Sequence, residues 1–387
     1  MSNYAFLCSI KEFKDIEEQQ LIRLLIQGLQ NMLGESKIDP EQKNAYISMI
    51  GPLKKLFNHG AIKEDFQQTF IVFEYRLPFS NERIDLIIFG KNENKKPTAI
   101  VFELKGWQKT IQKNNNLVIV DNKEHQHPEL QVLNYTGKLK FSHSTAKNFD
   151  IKEVVWMYNL NNNTNLKFNV VQVFYKDQIE DLARFLNQAI SSPLEEQSVY
   201  EFLNGEYMQS HLLLKAIKEN FEALRQGAYD ALCALGFGPS EEQIKIIEEI
   251  IEKAKSNEKL CYLINGAPGS GKSYIAVLLL LRALSELKQN DNKNLAVLGY
   301  RNNRLINTIK KIFSECRPGL DSVVQFYSTG LKKFPGLAEK GYQGYFKLVI
   351  YDEAQRMKKE NIRIAMQRGD ITVFFYDEKQ ILNAEEE

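Results

Sequence analysis

Cysteine is scarce in this sequence: Cys8, Cys233, Cys261 and Cys316 lie far apart among 387 residues and form no CxxC pair. A disulfide framework and a zinc ribbon are poorly matched by that spacing, and reduced thiols in a cytoplasmic protein are the expectation. An excess of either charge is also missing, with 50 Lys and Arg against 49 Asp and Glu, a formal charge of +1. Such a balance neither announces a nucleic-acid partner nor excludes one, because basic patches can be local and metal ions can carry the charge. No apolar run approaches a membrane span. The longest, Tyr274 to Leu281, is far too short, so no membrane partner is expected. The N-terminus, MSNYAFLCSIKEFKDIEEQQ, mixes charges early and has no apolar core of the kind a signal peptide needs. Internal repeats and low-complexity tracts are absent as well.

What is present is the composition of a folded protein. With 43% hydrophobic residues over 387 positions the chain can bury more than one core, and its length suits two or three domains. Apolar residues at three- and four-residue spacing predict helices over 15–33 and 41–58. Runs of β-branched and aromatic residues then predict strands at 69–77, 83–90 and 98–105, the last two joined by the polar turn KNENKKP. A helix over 129–140 and strands at 153–158 and 169–175 follow. Residues 178–235 read as mostly helical, interrupted near Leu203-Asn204-Gly205. After Gly236-Phe237-Gly238-Pro239 comes a regular alternation: helix 241–254, strand 260–265, helix 271–288, strand 295–300, helix 303–314, and strands 346–351 and 371–376. Alternation of this kind predicts a mostly parallel, doubly wound sheet. The expectation is an α/β protein with one unit over 1–195, a helical connector over 196–235 and a second unit over 236–387.

The run CYLINGAPGSGKSYIAVLLLL sets an apolar strand, a glycine-rich loop and an apolar helix in sequence. Its centre, Gly266, Ala267, Pro268, Gly269, Ser270, Gly271, Lys272 and Ser273, fits the phosphate-binding pattern GxxxxGK[ST] in the context that pattern requires. The glycines let backbone N–H groups close around phosphates; Lys272 supplies a cation to the β and γ phosphates of ATP, and Ser273 a hydroxyl for Mg²⁺. A competing reading, a bare glycine-rich turn, does not account for the flanking strand and helix. Downstream, KLVIY ends in Asp352 and Glu353. Ligands bind at the C-terminal edge of parallel strands, so Asp352 is placed to hold Mg²⁺ through water and Glu353 to polarise an attacking water.

The stretch DEAQR resembles the second motif of the helicase superfamilies. ITVFFYDEKQIL is similar to the third helicase motif, which implies that Gln380 senses the γ-phosphate, and GPSEEQIKIIEEI resembles the superfamily 1 Q motif, which implies that Gln243 contacts adenine. Ser240 to Gln243 also reads as a helix capping box, which needs no nucleotide. Taken together, residues 200–387 resemble the Schlafen group 3-like DNA/RNA helicase domain, and the resemblance implies a RecA-like fold. Motors of that superfamily also use a second RecA-like half that supplies an arginine across the nucleotide. Only the first half is recognisable here, so these residues alone are expected to bind ATP but hydrolyse it poorly.

A second constellation lies upstream. Asp85 sits in one apolar strand, and Glu103 and Lys105 in the next, two apart and so on one face. Carboxylates inside hydrophobic strands are costly unless they bind something. Two can hold Mg²⁺ or Mn²⁺ at an open site while a lysine positions a water against phosphate. A surface hairpin with an ordinary Glu–Lys face is the bland alternative. This D…ExK arrangement resembles the PD-(D/E)xK nuclease fold, a mixed-sheet architecture. Gln131 and Tyr135, a QxxxY on the predicted helix, are similar to its RecB-like branch, where they support the site and the nucleic-acid backbone. Ile84 stands where the family often has proline. Glu74 is a further candidate, brought opposite Asp85 by a hairpin centred near residues 79–80, and Glu17, Glu18 and Glu41 each qualify as a first-helix glutamate. His125 and His127 form an HxH without a third ligand nearby, which reads as a loop pair rather than a metal site.

The combined resemblance implies a bacterial nuclease–helicase fusion acting on DNA rather than RNA, in anti-phage defence or DNA processing, with Mg²⁺ (or Mn²⁺) and ATP as cofactors and a homodimer or higher oligomer as its assembly. Two alternatives stay open: an ATP-gated nuclease without translocation, and a nucleotide-dependent nucleic-acid-binding regulator with an inert nuclease centre.

Overall fold

The computed structural model describes residues 3–77, 82–162, 164–207, 213–256, 258–287, 294–301, 303–329, 331 and 333–379, and of residues 303–305 the backbone alone. The chain divides into two compact units, Met1–His211 with Asp230–Gly238, and Leu212–Tyr229 with Pro239–Glu387. Both are α/β.

The first unit is built from strands β1–β4 (Phe6–Ser9, Phe70–Arg76, Arg83–Lys91, Pro97–Leu104), β5–β7 (Ile111–Gln112, Leu117–Val120, Lys123–Gln126), and β8 and β9 (Asp150–Met157, Gln172–Tyr175). Its helices are α1–α6 (Ile10–Asp15, Glu18–Leu33, Pro40–Phe57, Pro128–Ser142, Ile179–Ala189, Glu196–Leu203). Six strands form one mixed sheet, in the order β1-β2-β3-β4-β8-β9. The first four pair antiparallel, and β8 and β9 join parallel. Both faces are covered, which is why β2, β3 and β4 read as nearly continuous apolar runs. Ile71, Phe73, Leu86, Ile88, Ile100 and Phe102 pack with α1–α3 and α5; Val72, Tyr75, Ile87, Phe89, Ala99 and Val101 pack on the opposite side with α4 and α6.

Residues 196–235, read from sequence as a connector, are distributed between the units. Helix α6 buries Val199, Phe202 and Leu203 in the first. Helices α7 (Leu213–Glu219) and α8 (Phe221–Arg225) belong to the second, and α9 (Asp230–Ala234) returns to the first.

The second unit adds α10 (Glu241–Lys255), β10 (Leu260–Asn265), α11 (Lys272–Glu286), β11 (Asn294–Tyr300), α12 (Asn303–Cys316), β12 (Val324–Phe326), β13 (Phe346–Tyr351), α13 (Lys359–Ala365) and β14 (Gly369–Tyr376). Its sheet is wholly parallel, in the order β10-β14-β13-β11-β12. Strand β10 lies at the edge, where Leu263 is 68% exposed, while the apolar run from Ile275 to Leu281 is buried in α11. No helix of the described residues is long and apolar enough to cross a membrane.

Candidate functional site

In the first unit the sheet's alternation fails at one place. Phe73 and Tyr75, two apart on β2, belong to opposite cores, and so do Ile84 and Leu86 on β3. The residues between them, Glu74 and Asp85, fall opposite each other in the β2–β3 register, and the ladder is interrupted there. Glu74 has φ 54°, in the left-handed region that a glutamate enters only at a cost. In the β3–β4 register Asp85 falls in turn opposite Glu103. Glu74, Asp85 and Glu103 thus occupy successive places in one row across three strands. The Leu104 N–H donates to Asp85 Oδ2 at 2.7 Å, so a side chain replaces a ladder partner.

A cation closes each end of the row. Lys105 Nζ lies 2.5 Å from Glu103 Oε1, and Arg83 Nε donates to Glu74 Oε2 at 2.6 Å. Gln42 on α3 donates to Glu74 Oε1 at 3.1 Å. Burial is the main cause that raises all three carboxyls above their ordinary range, and the charge of Asp85 adds to it at Glu74 and Glu103. Tyr135 is buried on α4 beside the row, and its hydroxyl is pushed up by burial first and by the charges of Glu103 and Asp85 next. Gln131, one helical turn before it, is half-buried, with Oε1 enclosed and without a hydrogen-bond partner.

Of the first-helix glutamates none joins the row. Glu17 and Glu18 are exposed at the start of α2, and Glu41 faces solvent near Lys123; α3 contributes Gln42 instead. Nor are the two histidines a loop pair. His125 lies in β7 opposite Val118, and His127 caps α4, accepting the Glu129 N–H through Nδ1. Arg83 and Gln42 were missed from sequence. Arg83 carries a faint signal, two residues before Asp85 on the same strand; Gln42 carries none.

Among the described residues no three His, Cys, Asp or Glu are disposed to hold a metal ion together. Two carboxylates are enough for Mg²⁺, which keeps most of its waters and takes one or two protein ligands. The all-oxygen pair Asp85 and Glu103 fits that need, and Glu103 Oε2 is enclosed with no hydrogen-bond partner.

In the second unit the glycine-rich loop joins β10 to α11. Gly269 and Gly271 have φ 78° and 84°, which glycine adopts without strain. Lys272 folds back over its own loop, donating to the carbonyls of Gly266 (2.5 Å) and Ala267 (3.0 Å), with Asp377 Oδ2 3.7 Å away. Ser273 Oγ donates to Asp352 Oδ2. Asp352 is wholly buried at the end of β13, and burial pushes its carboxyl up to about 6 against the pull of Ser273. Glu353 follows with φ 56° and is held by Arg356 Nε at 3.2 Å and by Gln355 Nε2 at 2.9 Å. Gln355 Oε1 also accepts the Asp377 N–H, tying the ends of β13 and β14. Gln243 is engaged at both ends of its amide: Oε1 accepts the Ser240 N–H, completing the capping box, and Nε2 donates to Ser270 O at 3.1 Å. Gln380 lies outside the described residues. Asp377 was not singled out from sequence, although it ends an apolar strand just as Asp352 does.

Residues 259–387 match the family described as Schlafen group 3, DNA/RNA helicase domain. No curated protein and no solved structure matches the chain. The match takes in the glycine-rich loop, Asp352 and Asp377, and it leaves out the carboxylate row. The second unit therefore carries a helicase-like domain, and such a domain implies nucleotide binding and a nucleic-acid-related ATPase function.

Proposed function

We propose that the first unit is a metal-dependent nuclease of the PD-(D/E)xK type and that the second is a RecA-like P-loop domain whose ATP binding controls it, with DNA as the substrate. Bacterial anti-phage defence is the setting we propose on resemblance alone. The observation that carries the nuclease reading is the row Glu74, Asp85, Glu103 with Lys105 at its end. Burial raises all three carboxyls above their ordinary range, and perturbed carboxylates gathered beside a lysine are what a metal-dependent hydrolytic site needs.

In this reading Asp85 and Glu103 hold Mg²⁺ (or Mn²⁺), which when bound polarises a phosphate and lowers the pKa of a water. Lys105 keeps its ammonium at Glu103 Oε1, where it can donate to the attacking water or to a phosphate oxygen. Tyr135 and Gln131 back the row from α4 and limit access of bulk water. In the second unit Lys272 leaves its loop carbonyls for the β and γ phosphates, the exchange of neutral acceptors for charged ones that favours binding. Ser273 and Asp352 hold the nucleotide's Mg²⁺, Glu353 orients water, Gln243 lies at the adenine side, and Gln380 is the γ-phosphate sensor.

Supercoiled, linear and single-stranded DNA incubated with Mg²⁺, with and without ATP, tests this. Cutting should fall at least a hundredfold in Glu103→Ala and respond to ATP in wild type but not in Lys272→Ala. Stimulation by ATP selects a motor-driven enzyme, and suppression a gated one. No cutting by wild type under any of these conditions sinks the nuclease reading.

A further inference from the structure

Arg83 stands at the opposite end of the row from Lys105. Its Nε donates to Glu74 at 2.6 Å and its Nη2 to Gln42 Oε1 at 3.1 Å, while Gln42 donates back to Glu74. The guanidinium is gripped from two elements, α3 and β2. Even so its side chain is 25% exposed against 5% for Glu74, and the bonds to Glu74 and Gln42 engage Nε and Nη2. The pair is unequally covered. It buries the carboxylate, on a backbone held at φ 54°, and leaves an edge of the cation facing out.

A guanidinium fixed in this way presents its remaining N–H donors in set directions, which suits two oxygens of a phosphate better than a mobile lysine would. Charge points the same way. Lys105 sits at the Glu103 end of the row and Arg83 at the Glu74 end, so Arg83 is the cation placed to meet a phosphate on the Glu74 side.

We infer that Arg83 binds a phosphate of the nucleic-acid substrate beside the carboxylate row, and that Glu74 and Gln42 are positioning residues that aim it. This rests on the nuclease reading, and it adds a substrate contact that the D…ExK pattern does not contain.

The test is equilibrium binding of fluorescein-labelled single- and double-stranded oligonucleotides to the full chain, with Ca²⁺ replacing Mg²⁺, over a salt series. Arg83→Ala should weaken binding roughly tenfold and reduce the slope of log K against log salt by about 0.7–0.9, the loss of one phosphate contact. Arg83→Lys should keep the slope but lose about threefold in affinity, because the charge remains and the fork does not. Glu74→Gln should weaken binding about threefold in wild type and not at all in the Arg83→Ala background. Oligonucleotides with 5′-phosphate or 5′-hydroxyl, and a closed circular competitor, distinguish a terminal phosphate from an internal one. An unchanged slope in Arg83→Ala overturns the inference, and so does an equal Glu74→Gln loss in both backgrounds. Should Arg83→Ala fail to fold, Arg83→Gln, which can still donate to Glu74, carries the slope measurement. If Glu103→Gln abolishes cutting while Arg83→Ala leaves the slope intact, this inference falls and the nuclease reading stands. A changed slope in a chain that cuts nothing supports the phosphate contact and removes the nuclease reading.

Discussion

Single residues carry the chemistry here because burial has been made to work against their charge. Asp352 is the clearest instance. Its carboxyl is raised from 3.8 to about 6, so the folded state favours the protonated form more than the unfolded state does. The resulting stability is fully present below pH 3.8 and is lost as pH rises through about 6. Under the proposed function Mg²⁺-nucleotide binding uses the carboxylate, and it should then run the other way, tightening over the same interval. Melting temperatures of wild type and Asp352→Asn, measured without Mg²⁺ from pH 4 to 7, should lie closest at the acid end, where Asn imitates the protonated carboxyl, and wild type should fall behind as pH rises through about 6. Affinity for a fluorescent ATP analogue should rise with pH in wild type alone. A pH-independent difference between the two proteins in both measurements would show that Asp352 does not titrate in this range.

Elements meet at positions where only a glycine fits. Helix α2 buries Leu21, Leu25, Leu29 and Met32, and it also carries Gly28. A Cβ at that position would stand 1.8 Å from the Ala5 carbonyl oxygen, on the chain leading into β1. Alanine is the better helix former by about 1 kcal/mol, so propensity alone predicts that Gly28→Ala stabilises. The clash is with backbone, which cannot rotate away, and it wins. Gly28→Ala should cost about 1–3 kcal/mol in urea unfolding, and a stabilised variant would show that α2 is free to shift. Strands and helices that bury a long regular face were legible from periodicity. Strands β1, β5–β7 and β12 were not, for they are two to four residues long and owe their existence to pairing with distant chain rather than to any local pattern.

At the scale of the whole molecule the chain enters the second unit, returns to the first and leaves it again. Helix α9 packs on α4, and Leu232 and Cys233 are fully buried there. A Cβ at Gly137 on α4 would meet Gly236 N at 2.3 Å, and the Gly238 N–H donates to Asn134 Oδ1 at 3.0 Å. Stability of the first unit thus depends on residues beyond position 229. Leu232→Ala should destabilise it by about 2–5 kcal/mol. Hydrogen exchange would show this as faster exchange in α4, with α11 unchanged. Equal acceleration in both helices would mean that the two units unfold together.

By itself the sequence determined what depends on neighbours along the chain. A strand, a glycine-rich loop and a helix in direct succession place Lys272 and Ser273, and two strands joined by a short turn place Asp85 beside Glu103 and Lys105, because a few residues of backbone leave little choice. Tertiary structure decided the rest. It put β14 between β10 and β13, and so brought Asp377 to 3.7 Å from Lys272. It also turned Glu74, which the hairpin already placed opposite Asp85, over at φ 54°, and set Gln42, 41 residues before Arg83, against that guanidinium. Contacts across such distances are selected by the packing of whole faces, with the entropy of loop closure set against buried area, and no short spacing in the sequence records that balance.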